Sequence, residues 1–208
     1  MKIIDISPLV DESIGVWPGD APFRHRLNLD IRSGDNITLS EIHTTVHVGA
    51  HADAPVHYSR DGADIASRDL ALYCGPCQVF DLRGLVRGAR ILPGDLGDRR
   101  IRHPRALFRT DSFPDHRNWN EDFNSLSPEL VDFLYAQGVF LVGLDTPSVD
   151  PFDSKDLETH QAMARHDMAN LEGLVLTEVK EGEYELIALP LRLGGADASP
   201  VRAVLRGL

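Results

Sequence analysis

Residues 43–58, HTTVHVGAHADAPVHY, place four histidines and an aspartate in sixteen positions, and any fold of this chain has to accommodate them. An extended backbone sends alternate side chains to opposite faces, so an extended run would set His43, His47, His51, Asp53 and His57 on one side. Wound as a helix, the same run would pair His47 with His51 but turn Asp53 about 240° away from His47. Pro55, Gly49 and the β-branched Thr44, Thr45, Val46 and Val48 also oppose a helix. The segment is therefore expected to be extended, bent or ended at Gly49 and Pro55. Imidazole and carboxylate together suit zinc and similar divalent ions. Small Gly49, Ala50, Ala52 and Ala54 leave room for an ion and a water. A single histidine on such a face would be an ordinary solvated residue. His47, His51, Asp53 and His57 together point to metal binding or catalysis.

Strands are expected in KIIDIS, TLSEIHTTVHV, CQVFDL, ARILPGDL, ALFRT, VFLVGLDT, LEGLVLTEV and YELIALPL, all apolar or β-branched. Helices are fewer. SPELVDFLYAQG carries Ser127 as N-cap, Pro128 at the first turn and Gly138 as a stop. SKDLETHQAMARHDMAN is capped by Ser154, and DIASRDLALYC holds a short third helix. Residues 111–126 are polar, aromatic and turn-rich, a surface loop placed to border a site. The pattern predicts one α/β domain over residues 1–208, with a central mixed sheet and few helices; too few helices separate the strands for a doubly wound parallel sheet.

A formal net charge of −11 argues against nucleic acid or an anionic membrane as partner. The opening MKIIDISPLV is too short and too polar for a signal peptide or a membrane span, so a cytoplasmic enzyme is expected. The two cysteines are too few for a disulfide-stapled fold.

The run HVGAHADAPVH resembles the His-x-Gly-Thr-His-x-Asp-x-Pro-x-His signature of the cyclase-like metal-dependent hydrolase family, with Ala50 in place of the usual Thr. The likeness continues in the same order through IIDISPLV, VWPGDAPF, GPCQVFDL, GLDTPSVDPFDSKDL and LEGLVL…GEYELIALPLRL, which is most of the chain. DTPSVDP and LEGLVL favour the formamidase branch. The resemblance implies a fold of the swivelling β/α/β type, a homodimer, and two zinc ions per subunit. His47, His51 and Asp53 would bind the first ion, with Asp53 bridging to a second held by His160 and Glu172. His57 would give and take a proton, and Trp17 would contact the aryl part of the substrate. The implied reaction is hydrolysis of N-formyl-L-kynurenine, an aryl formamide, to L-kynurenine and formate. Two alternatives stay open: hydrolysis of another cyclic or aryl amide of the isatin type, with manganese as the other metal, and a non-catalytic metal-binding protein.

Weighed singly, His160 lies in an amphipathic helix, where a histidine is usually just polar. Glu172 adjoins an apolar strand, and a carboxylate buried there is costly unless paired or bound to a cation. His43 and His166 are expected to be structural or supporting. Trp17, between Val16 and Pro18, offers a flat apolar face beside a rigid turn. CGPC at 74–77 spells a redox pair, but a strand rather than a helix follows it, so a thiol redox function is disfavoured. RGLVRGAR, residues 83–90, is a solvated basic turn.

Overall fold

Apolar and β-branched runs become short strands because both faces of the sheet they enter are covered. The computed structural model describes residues 2–208. Its strands are β1 (Ile3–Asp5), β2 (Arg24–Leu29), β3 (Leu39–His43), β4 (His51–Asp53), β5 (Cys74–Asp81), β6 (Arg90–Ile91), β7 (Arg105–Arg109), β8 (Ser125–Leu126), β9 (Leu141–Leu144), β10 (Ala169–Leu171), β11 (Gly182–Ile187), β12 (Ala198–Pro200) and β13 (Val204–Gly207). The helices are α1 (Pro128–Ala136) and α2 (Glu158–His166). Seven strands form the central sheet in the order β1-β13-β11-β5-β7-β9-β10. From β5 to β10 neighbours run parallel, and from β5 back to β1 they run antiparallel. This is the mixed α/β sheet that the sequence predicts.

Side chains on the parallel strands divide between two cores at a period of two. Val79, Leu107 and Leu141 enter one core with Ala52, Leu171 and Ala203. Phe80, Phe108, Val142 and Leu144 enter the other, beneath Leu130 and Leu134 of α1 and Met163 of α2. Burial on both faces explains why these strands read as continuous apolar runs. Truncating one of them, as in Phe108→Ala, should cost about 3–5 kcal/mol.

Several local expectations change. The histidine-rich run is not one strand: β3 ends at His43, residues 46–50 turn, and β4 spans only His51–Asp53 before a 3-10 turn at Pro55–His57. Gly49, at φ 61°, takes a left-handed bend just before β4. LEGLVLTEV is not a strand either. The strand is β10, which takes in only its first residue, Leu171, and Glu172 follows that strand. DIASRDLALYC forms two 3-10 turns, each begun by an aspartate, Asp64 or Asp69, that accepts nearby backbone N–H groups and favours turn over helix. Strands β2, β8, β12 and β13 have no counterpart in the sequence reading, which placed β8 in the 111–126 loop.

Helix α1 starts as expected, with Ser127 accepting from the Leu130 N–H. Ser154 does not cap α2; its hydroxyl accepts from Leu157, one turn earlier. The carboxylate of Asp150 instead takes the free N–H groups of Thr159 and His160 at 2.9 and 3.0 Å. No helix among the described residues is long and apolar enough to cross a membrane.

Candidate metal and active site

The site forms where β4 meets the end of β10. His51 and Glu172 exchange two backbone hydrogen bonds, at 3.1 and 3.0 Å, which aligns their side chains. The approach is tight: a Cβ on Gly173 (φ 64°) would lie 2.3 Å from the carbonyl oxygen of Gly49, so no other residue fits there. Register then fixes the remainder. Asp53 sits two residues beyond His51 on β4, and α2 brings in His160.

Five side chains converge on one point. Asp53 turns Oδ1 toward Nδ1 of His47 at 3.0 Å and Nε2 of His51 at 3.5 Å, and Oδ2 toward Nε2 of His160 at 3.4 Å. Glu172 repeats the pattern, with Oε2 facing His51 at 3.3 Å and Oε1 facing His160 at 3.5 Å. Each imidazole is held from behind. His51 donates Nδ1–H to the Gly49 carbonyl at 2.9 Å, and His160 donates Nδ1–H to Asp150 at 2.8 Å. Such backing fixes the tautomer that leaves Nε2 for an ion. The amide of Asn170 donates to both carboxylates, at 2.7 and 3.0 Å.

The donor set fits a cation. Nε2 of His51, Oδ1 of Asp53 and Nε2 of His160 are buried and have no hydrogen bond, and all three face the same space. An unsatisfied buried polar atom costs about 1–3 kcal/mol, so three at one point are hard to explain without a ligand. Three imidazoles and two carboxylates are the donors a borderline divalent ion takes. Ligand atoms of His51, Asp53 and Glu172, and separately of His47, Asp53 and His57, lie within 4.8 Å of one another. The second grouping puts His57 within ligand reach as well.

Electrostatics inside the cluster follow from its pairing. Burial pushes against the charge on Asp53 and Glu172, yet the neighbouring imidazoles hold both carboxyls below their usual range. Against the same desolvation, Asp53 and Asp197 raise the imidazole of His47 to about 9. His160 is raised well above its ordinary value through Asp150, Asp53 and Glu172. A metal would compete with protons for these atoms.

A cavity of about 590 Å³ opens over the cluster, lined by His47, His51, His57, His160 and Glu172 and walled by Trp17, Phe113, His116 and Trp119. Trp17 stands on a tight turn in which the Asp20 N–H donates to its carbonyl at 2.9 Å, with Gly19 at φ 102°. Its ring stacks on Phe152 at 5.0 Å and meets Trp119 edge-on at 5.3 Å. An enclosure of this size and character suits one aryl compound.

The structure thus brings together His47, His51, Asp53, His57, His160, Glu172 and Trp17. It sets His43 apart on the exposed hairpin of β2 and β3. His166 is also remote, stacked on Tyr135 at 4.1 Å and bonded to Asp132 at 2.7 Å. Cys77 is buried in β5, its thiol pushed up to about 12 by burial, while Cys74 is exposed. Asp150, Asn170 and Asp197 escaped the sequence reading. Asp150 lies in the DTPSVDP run, but nothing local marks a carboxylate as the partner of a histidine ten residues on. The 111–126 loop does border the site, through Phe113, His116 and Trp119.

The chain matches known proteins over its length. The cyclase family model matches residues 4–151. A kynurenine formamidase of Bordetella pertussis (strain Tohama I) is 45% identical over 208 residues, covering 100% of this chain and 99% of that protein. A solved structure from Bacillus stearothermophilus, described as a "predicted metal-dependent hydrolase", is 27% identical with a TM-score of 0.83, covering 98% of this chain and 97% of that one. Isatin hydrolase A of Labrenzia aggregata shares the fold, with a TM-score of 0.85 at 21% identity over 98% of this chain and 93% of that one.

Proposed function

The chain belongs to the cyclase family, and within it we propose a metal-dependent amidohydrolase that cleaves N-formyl-L-kynurenine to L-kynurenine and formate. One observation carries the reading: a single cavity joins a set of unsatisfied metal-ligand atoms, a partly exposed histidine and an aromatic wall. The Bordetella relative named for this activity, aligned over the whole chain, supports the choice of substrate.

His47, His51 and Asp53 would hold one zinc ion, and Asp53, His160 and Glu172 a second. Support comes from the way both carboxylates divide their oxygens between His51 and His160. Zinc would supply Lewis acidity when bound, lowering the pKa of a water to about 7 and drawing charge from the formyl oxygen. Trp17 and its aromatic neighbours hold the aryl ring and keep the formyl group over the cluster. His57 accepts the proton of the attacking water as the C–O bond forms. It then donates that proton to the anilide nitrogen as the C–N bond breaks, so the amine leaves neutral. Its side chain is 32% exposed and bonded to Asp197 rather than to the buried carboxylates, which supports proton transfer over ligation.

We also read the chain as a homodimer, supported by the exposed Leu27, Leu39 and Ile42 on the hairpin of β2 and β3. Light scattering should give twice 23.0 kDa.

The test sets N-formyl-L-kynurenine and isatin side by side with purified, zinc-loaded protein, and adds His57→Ala. Formate release from the formamide should dominate. The variant should lose about 10²–10⁴-fold in kcat and keep its zinc. Preferential opening of isatin would overturn the substrate assignment, and loss of zinc in the variant would make His57 a ligand.

A further inference from the structure

Asp197 lies outside the histidine signature, yet it joins two histidines with different duties. Its Oδ2 stands 3.3 Å from Nδ1 of His57 and 3.0 Å from Nε2 of His47. The two rings sit 4.4 Å apart, tilted by 45°. A carboxylate oxygen only accepts, so both rings present an N–H to it. For His57 the consequence is chemical. With the proton on Nδ1, a neutral ring keeps its lone pair on Nε2, the nitrogen that has no hydrogen bond among the described residues. For His47, Nε2 is committed to Asp197 and Nδ1 is left facing Asp53.

The backbone places this carboxylate firmly. The Asp197 carbonyl accepts from the Ala54 N–H at 2.8 Å, and the next residue, Ala198, pairs with Asp53 where β12 meets β4. Upstream, the Gly195 N–H donates to Asp64 at 2.7 Å, and the Ala196 carbonyl accepts from Ile65 at 3.0 Å. Strand β12 is only three residues long, and its register sets Asp197 beside the turn that carries His57.

Resting on the hydrolase reading above, the geometry points to Asp197 as the positioning residue of this site: it fixes His57 in the Nδ1–H tautomer, with Nε2 free to take and give the proton, and ties that ring to the ligand His47. Base, orienting carboxylate and reacting water then form the ordered set that general acid–base catalysis requires.

The experiment compares wild type with Asp197→Asn, Asp197→Ala and Asp197→Glu, all assayed with saturating zinc and with zinc content measured. Long-range ¹H–¹⁵N NMR reads the ring of His57, its signals assigned by their loss in His57→Gln, in both zinc-loaded and zinc-free protein. Wild type should show Nδ1 protonated and Nε2 bare. In Asp197→Asn the amide donates as readily as it accepts, so the tautomer is no longer imposed. Its kcat should fall on the order of 100-fold while KM stays within about threefold, and Asp197→Glu should recover part of the loss. An unchanged tautomer with kcat within twofold of wild type would overturn the assignment. Should the variants fail to fold, wild-type NMR decides alone, because Nε2 protonation in His57 contradicts it. A wild type that does not hydrolyse the formamide at all defeats the proposed activity, while the tautomer still judges Asp197.

Discussion

Two aspartates, Asp53 and Asp145, are almost wholly buried, and they are handled in opposite ways. Asp145, just past β9, accepts the N–H groups of Thr110 and Asp111 at 2.8 Å each and the Thr110 hydroxyl at 2.7 Å. All of its partners are neutral donors, and no atom of this network is left unsatisfied among the described residues. Burial therefore prevails, and its carboxyl is pushed up to about 6. Asp53 faces three imidazoles, is held well below the ordinary carboxylate range, and keeps an oxygen with no hydrogen bond. One network is closed and anchors the loop that carries Phe113 and Trp119. The other is open on the side facing a cavity. Between these two aspartates, completeness of hydrogen bonding rather than burial marks the difference between an anchor and a member of the cluster.

The comparison breaks most visibly at Asp53. Asp53→Ala removes the side chain that all three imidazoles address, so formate release should fall to background and bound zinc should disappear from elemental analysis. Retained zinc and turnover would remove the distinction between the two regions.

The closed network gives the next effect, and it appears in stability. The folded chain holds a proton on Asp145 more tightly than the unfolded chain does, so this group's contribution is greatest below about pH 4. It is lost as pH climbs through about 6. Asp145→Asn abolishes that slope. Urea unfolding should show the variant gaining on wild type by about 2–3 kcal/mol between pH 4 and pH 7, with zinc content unchanged. A difference that stays constant with pH would refute this account of Asp145.

Smaller still is the effect of the carboxylate behind a ligand. Asp150→Asn should weaken zinc binding by about 10–100-fold, read by competition with a chromophoric chelator, while the protein remains folded. Smallest is the wall. Trp17→Ala should raise KM for the formamide by about threefold to tenfold, equivalent to one aromatic contact of about 0.5–1.5 kcal/mol, and leave kcat and zinc content near wild type. A fall in kcat without a change in KM would place Trp17 in the chemistry rather than in binding.

How much of this was legible in the sequence differs between the same regions. The histidine run identified its own members, but the alternation argument that grouped them holds only over β4. His47 lies in a turn and His57 in a 3-10 turn, and both reach the cluster by bending at Gly49 and Pro55. The residues survived the wrong geometry because spacing reports on chemistry more reliably than on backbone shape. His160 and Glu172 depended on resemblance, since each is ordinary in its local context. Asp150, Asn170 and Asp197 left no signal, because their partners are distant in sequence and meet them only through register. The central sheet was readable where its strands are apolar on both faces; the small separate pairs were not, because β2 is exposed along most of its length and β12 has only three residues.

The central claim is that the open cluster is a divalent-metal site on which hydrolysis depends. The direct test strips the purified protein with a chelator, restores zinc in steps, and follows formate release from N-formyl-L-kynurenine at each step. The stripped chain should be inactive, and activity should climb until two equivalents per chain are bound and then level off. Full turnover by the stripped chain would contradict the account.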